Sequence, residues 1–331
     1  MTDDQITDQI TDLARLLPAG PAPDLPAERR QILKEHLMAE YRLAPGNRRP
    51  TRQRRRARRP LFAALGAGAV LAAIAATAVA LVLPGGQPAP ASPAAVELLA
   101  KVANAAARQP APRVSNSEFM YIRSEVIYAS YSDGSQVPTM EPLHEQQIWL
   151  PVANICDWGL LIEEGQRTSL APPTDLRPPS SDCGQGNLLD PTYRLLQSLP
   201  TDPRALLNLI DASNRAHPVG QSLDSDGAAF FTIGFLIREA IVPPSTAAAL
   251  YRAAALIPGV TLIGRVTTVE GQPGIAIAWS DSRDRYEWIF DPATLQYVGE
   301  RDYALSTGKP VLNENTAVLQ RAFVSKAGQL P

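Results

Sequence analysis

Residues 61–83 read LFAALGAGAVLAAIAATAVALVL, 23 consecutive residues without a charge. At about 1.5 Å of rise per residue, such a segment coiled as a helix spans roughly 30 Å, the thickness of a bilayer's hydrocarbon core. The pattern predicts a transmembrane helix, because the buried helices of water-soluble cores are usually shorter. Directly before it lie Arg48, Arg49, Arg52, Arg54, Arg55, Arg56, Arg58 and Arg59, whereas the first charge after it is Glu97. Cationic flanks stay on the cytoplasmic side. The expected topology is therefore single-pass in the cell membrane, with the N-terminus cytoplasmic and residues 84–331 outside.

The formal net charge of −2 conceals this split, since residues 1–60 carry a net +5 and the remainder a net −7. Eight guanidiniums in 48–60 also match the requirements of a phosphate backbone. No aromatic residue interleaves them, however, and they abut the span, so Arg54, Arg55, Arg56, Arg58 and Arg59 are expected to anchor on the headgroups of the lipid bilayer. Direct nucleic-acid binding is not expected. A cleaved leader is a competing reading, because Arg58-Arg59-Pro60-Leu61-Phe62 loosely follows a twin-arginine pattern and Ala89-Pro90-Ala91 resembles a cleavage site. The 60-residue extension and the length of the apolar run speak against it. Ala64, Gly68, Ala72, Ala76 and Ala80 put a small residue at every fourth position, which would admit a second helix and a homodimer through the span; Ala-rich composition alone gives the same spacing.

Within 1–47, Ile6, Ile10, Leu13 and Leu17 recur at helical spacing, and Leu33, Leu37 and Tyr41 stripe a second helix that Asp24 and Pro26 open and Pro45-Gly46 ends. Two short helices in about 45 residues bury no core of their own. They are expected to pair loosely, to lie at the membrane, or to dock on a cytoplasmic partner through the stripe of Leu33, Leu37 and Tyr41. The segment holds no cysteine, so the His and paired-Cys pattern of zinc-type anti-sigma factors is absent.

Beyond the span, residues 84–93 form a Pro/Ala spacer, and 94–331 form the outer domain, which carries all four Trp and eight of the nine Tyr. A helix is expected over 94–108 with Val96, Leu99 and Val102 inward. Strands follow over 119–128, where Met120, Ile122, Val126 and Tyr128 alternate with Tyr121, Arg123 and Glu125, and over 147–150 and 160–164. Helices are expected over 203–213, opened by Asp202-Pro203, over 226–240, apolar nearly all round, and over 245–256. The stretches 260–269, 275–279, 285–290 and 296–303, divided by short polar breaks, predict an antiparallel meander. One face of it carries Ile275, Ile277, Trp279, Tyr286, Trp288 and Phe290, and 311–324 is expected as an edge strand. The class is α+β: a short helical cytoplasmic segment, one transmembrane helix, and an extracytoplasmic domain whose curved antiparallel sheet packs on helices.

Cys156 and Cys183, 27 residues apart, lie on the oxidising side of this topology and are expected to form a structural disulfide. Signatures of catalysis are missing: there is no Gly-x-Ser-x-Gly elbow, P-loop, His-Glu-x-x-His or Gly-x-Gly-x-x-Gly. Two cysteines and three scattered histidines do not make a recognisable metal centre, and no cofactor is expected. Asp224-Ser-Asp226-Gly227 resembles part of a calcium loop, but Ile233 stands where the twelfth-position Glu belongs, so Asp224 reads as a helix cap. Glu163 and Glu164, adjacent on a strand, point to opposite faces. His144 and His217 stand beside Pro-containing turns and would matter only if a nucleophile and a carboxylate converged on one of them.

The succession of helical piece, Arg run, Ala-rich span, Pro/Ala spacer and outer domain resembles a family of uncharacterised actinobacterial single-pass membrane proteins. The residues that carry the likeness are Phe119-Met-Tyr-Ile-Arg123, Ile148-Trp-Leu-Pro151, Ala249-Leu-Tyr-Arg-Ala-Ala-Ala-Leu-Ile-Pro-Gly259 and Phe290-Asp-Pro-Ala-Thr294. The sequence departs from that pattern at Leu295, where a Gly is expected after the turn, and at Gln272, where an Arg is expected. The resemblance implies a gene neighbourhood with extracytoplasmic-function sigma factors, but no activity. At fold level the outer domain is similar to lipoprotein-carrier and sigma-regulator sensor folds.

Three readings follow. The first is a non-enzymatic sensor or regulator whose outer domain meets an envelope lipid or protein and whose inner helices hold a cytoplasmic sigma factor. The second is a tethered lipid- or lipoprotein-binding protein with an apolar groove lined by Phe230, Phe235, Trp279 and Trp288; tight packing among those four would make them ordinary core. The third is an exported hydrolase.

Overall fold

The computed structural model describes residues 89–131, 138–171, 183–184, 186–219, 223–305 and 310–331, which belong to one of the chain's two compact units, 71–331. The stripe of Leu33, Leu37 and Tyr41, the arginines 54–59 and the 61–83 span lie outside the described residues. Among those described, no helix is long and apolar enough to cross a membrane.

The domain is α+β, an antiparallel sheet with helices packed on one face. Its strands are β1 (Phe119–Ser130), β2 (Thr139–Met140), β3 (His144–Pro151), β4 (Leu160–Glu163), β5 (Gln166–Ser169), β8 (Thr261–Thr267), β9 (Pro273–Ser280), β10 (Asp284–Phe290), β11 (Tyr297–Ala304) and β12 (Val311–Val324); β6 (Gly186–Asn187) and β7 (Asp190–Pro191) form a separate small ribbon. The order across the main sheet is β5-β4-β3-β1-β12-β11-β10-β9-β8, with β2 pairing β1. The expected edge strand is thus a central one. β12 accepts β11 on one side and β1 on the other, and joins the 261–304 meander to the β1–β5 meander. Its 14 residues are long enough to serve both partners, and a strand's polar residues do not mark an edge when they find partners inside.

The helices are α1 (Pro93–Ala107), α2 (Tyr193–Ser198), α3 (Pro203–Ala216), α4 (Ser225–Glu239) and α5 (Pro244–Ala254). Their starts follow from the sequence: Ser92, Thr192, Asp202 and Asp224 each accept a hydrogen bond from the backbone N–H three residues on, and Pro occupies the first turn of α1, α3 and α5. On α1 the buried stripe is Ala95, Leu98, Leu99, Val102 and Ala103, so the expected inward Val96 is instead 38% exposed. α5 packs against α1, α3 and α4, and α4 also reaches β9.

α4 lies in the middle of the core, and two of its glycines explain how. Gly227 meets the Trp279 ring and Gly234 the Trp288 indole, with no side chain between helix and sheet. Register places Trp288 opposite Ile277 and Tyr286 opposite Trp279, the one-sided apolar set that covers the helices. The opposite face of the sheet has a smaller cluster of Tyr121, Trp149 and Val324, closed by the C-terminal tail through a hydrogen bond from Trp149 Nε1 to the Gln329 carbonyl, 2.8 Å.

Candidate functional site

Cys156 and Cys183 are bridged, with Cα atoms 5.5 Å apart. The bridge ties the 3₁₀ turn Ile155–Asp157, capped by Asn154, to the segment leading into β6. No free cysteine remains in the chain.

The expected apolar groove is not formed by the four residues assigned to it. Phe230, Trp279 and Trp288 are fully packed, and Phe230 lies flat on Trp288. Phe235 and the edge of Trp288 border a gap of about 10 Å³, shared with Phe231, Arg238 and Tyr286, which is about one water's worth of space. An all-round apolar helix needed cover on every side, and the two indoles docked against its glycines supply it. These residues are core.

The two described histidines, His144 and His217, stand far apart in the fold and do not share a site. His144 has its Nδ1 2.9 Å from the Pro142 carbonyl and its Nε2 3.1 Å from Glu163. With an acceptor at each nitrogen both must donate; although burial opposes the charge, these contacts raise the pKa above the ordinary imidazole value. Both ring nitrogens are thus engaged by protein groups. Glu163 also accepts from Gln146, and Glu164 turns away at a positive φ of 48°. His217 is exposed at the end of α3. Among the described residues no group of three or more His, Cys, Asp or Glu is placed to hold a metal.

The sheet's helix-facing side carries a buried ion network. Arg238, near the end of α4, contacts Glu239 at 2.7 Å, Glu300 of β11 at 2.5 Å, and Glu314 of β12. Tyr297 donates to Glu300 and Thr316 to Glu314. Burial opposes the charge on Arg238, but the three carboxylates hold its pKa well above the ordinary value. Burial also pushes the Glu300 carboxyl up, against the pull of Arg238.

Beside this network lies a different cavity, a cleft of about 340 Å³. Ala105 and Ala106 at the end of α1, the 237–242 exit from α4, Ala247 and Tyr251 of α5, and the 294–297 turn form its walls. The walls stand apart because several of these positions are alanine. Arg321 of β12 lines it from the sheet. A bulge opposite Arg123 and Ser124 shifts β12 by one residue, so that Glu314, Thr316, Arg321 and Phe323 all meet groups of the helix layer or its ion network. Arg321 Nη2 donates to the Ile237 carbonyl at 2.7 Å, and its guanidinium lies 5.8 Å from the Tyr297 ring centre. Among the described residues it forms no ion pair, and Glu239, the one carboxylate that acts on it, is engaged by Arg238. Burial lowers the Arg321 pKa below the guanidinium range, and burial raises that of the neighbouring Tyr251 hydroxyl. Three carboxylates therefore surround one arginine while the next has none.

Nothing in the sequence singles this site out, since Arg321 and Tyr251 belong to no signature of chemistry. Two of the four segments that carry the family likeness do meet here: 249–259 supplies Tyr251 and 290–294 supplies Thr294. The other two, 119–123 and 148–151, pair with each other as β1 and β3, and Ile122 stands opposite Arg321.

No family model matches the chain, and no curated protein matches it. Among solved structures, the crystal structure of MucB aligns with a TM-score of 0.26 and 14% identity, over 73% of this chain and 62% of that one. The chain thus spans less than two thirds of MucB's length.

Proposed function

We propose that this chain is a single-pass envelope protein that binds a ligand in the Arg321 cleft and reports its occupancy to a cytoplasmic partner, such as a sigma factor, held by the 1–47 helices. The reading is non-enzymatic and places the N-terminus in the cytoplasm. The observation that carries it is the cleft: a preformed, mostly apolar cavity at the lower end of the roughly 300–1,000 Å³ usual for small-molecule sites, with one convergent charged group. The charge-free run at 61–83, the arginines 54–59 and the stripe of Leu33, Leu37 and Tyr41 support the tether and the inner contact.

The same cleft serves a second reading, a tethered lipid- or lipoprotein-binding protein in which residues 1–60 act only in insertion. Capture separates the two. Residues 1–59 are immobilised and exposed to host lysate beside a version with Leu33, Leu37 and Tyr41 changed to Ser. Stripe-dependent retention of a sigma factor supports the regulator; retention of only salt-labile, charge-driven material overturns it and leaves outer binding as the function.

A further inference from the structure

Resting on the reading of the cleft as a ligand site, we infer that it takes an apolar monocarboxylate, whose carboxylate meets Arg321 and the Tyr251 hydroxyl. A guanidinium presents a planar fork of donors that matches a carboxylate, and among the described residues only Nη2 of Arg321 is engaged, through the Ile237 carbonyl. A partly buried charge without a counter-ion is costly. Among the described residues the one carboxylate that acts on it, Glu239, is bound to Arg238. A bound anion supplies the counter-charge that no described residue provides. Tyr251 is buried with its ring packed edge-on to Phe290, and its hydroxyl is close enough to Arg321 to influence it.

The walls define the rest of the molecule. Ala106, Ile241, Val242 and Leu295 are apolar, and Arg321 is the one charged residue among the described residues of the lining. A second anionic group on the ligand would find no cation, which selects a monoanion over a dicarboxylate or a phosphate monoester. A cleft of about 340 Å³ lies at the lower end of the roughly 300–1,000 Å³ usual for small-molecule sites. That suits a single short chain or one compact ring system, not a two-chain lipid.

Equilibrium dialysis of the full chain in lipid nanodiscs tests this, with radiolabelled decanoate, decan-1-ol and sebacate as probes and empty nanodiscs subtracted. Decanoate should bind saturably, and decan-1-ol and sebacate at least tenfold more weakly. Arg321→Gln should weaken decanoate at least tenfold and leave decan-1-ol unchanged. Because Arg321 also holds the Ile237 carbonyl, Ala106→Phe provides a second variant: it fills the cleft from α1, leaves Arg321 in place, and should abolish binding without lowering the unfolding temperature. Equal binding of decanoate and decan-1-ol, decanoate binding insensitive to either variant, or no saturable decanoate binding would each overturn the assignment. Sigma-factor capture by residues 1–59 does not involve the cleft, so its failure bears on the regulator reading alone.

Discussion

The Phe230 ring lies flat on the indole of Trp288, with centroids 3.9 Å apart and planes inclined by 11°. The stack exists because Gly234, one turn further along α4, leaves room for the same indole. A Cβ built at Gly234 would stand 2.5 Å from Trp288 Nε1. Ala normally gains about 1 kcal/mol over Gly inside a helix, but here the indole would have to shift within a closed core. Gly234→Ala should therefore destabilise the domain by about 1–3 kcal/mol. Urea unfolding followed by tryptophan fluorescence reports on this domain alone, since all four Trp lie beyond residue 84. A stabilised variant would mean that helix and indole are not in contact.

Arg238 makes a second, electrostatic demand on the same helix. Replacing it with Met removes the shared cation and leaves Glu300 and Glu314 facing each other inside the protein. Breaking one side of a buried ion pair costs about 3–5 kcal/mol, and Arg238→Met should fall in that range. Adding Glu300→Gln and Glu314→Gln should restore a large part of it, because the uncompensated carboxylates cause most of the loss. If the triple variant is no more stable than the single one, the arginine acts through packing and not through charge.

These two sites show which parts of the fold were legible in advance. Helix starts were, because Asp202-Pro203 and Asp224 satisfy end N–H groups by a purely local mechanism. The one-sided row of Ile275, Ile277, Trp279, Tyr286, Trp288 and Phe290 was, because a meander keeps sequence neighbours adjacent in space. The pairing of β12 with β1 was not: it joins residues nearly 200 positions apart, and no local pattern distinguishes an inner strand that carries Glu314 and Arg321 from an exposed edge. The same limit hid the cleft, whose lining comes from α1, α4, α5, the 294–297 turn and β12. Apolar residues at 230, 235, 279 and 288 look alike whether they line a groove or fill a core; Gly227 and Gly234 opposite the indoles decide it.

Asp302 is the group whose titration should be visible in stability. It stands directly across from Glu314 on β12 and Tyr286 on β10, and one of its carboxylate oxygens is buried without a hydrogen-bond partner. Burial, then Glu314, Asp284 and Glu300, raise its pKa to about 7. A carboxyl whose folded-state pKa exceeds its unfolded value of about 3.9 binds more protons when folded, so this group's contribution falls as pH rises between those values. Asp302→Asn should be more stable than the parent at pH 8, by on the order of 1–3 kcal/mol, and the difference should vanish near pH 4. A constant difference between the two proteins across pH 4–8 would show that Asp302 ionises normally.

Leu295, where the sequence resemblance leads to an expectation of glycine, adopts the left-handed conformation with φ of 60°. The turn is held around it. Asp291 Oδ1 accepts from the N–H groups of Ala293 and Thr294 and from the Thr294 hydroxyl, contacts that lower the Asp291 pKa, while the Leu295 N–H donates to the Asp291 carbonyl. A non-glycine residue in that conformation costs roughly 1–2 kcal/mol, and the half-buried leucine side chain, packed on the core and lining the cleft, offsets it. Leu295→Ala loses the packing and keeps the backbone cost, whereas Leu295→Gly loses the packing and removes the cost. Gly should therefore be the more stable of the two by about 1 kcal/mol, the reverse of the usual order. Both variants widen the cleft at the same wall, so a ligand that contacts Leu295 should weaken equally in each. Thermal unfolding of the pair gives the backbone cost directly, and an Ala variant at least as stable as Gly would mean that the turn relaxes out of the left-handed conformation once the leucine is gone.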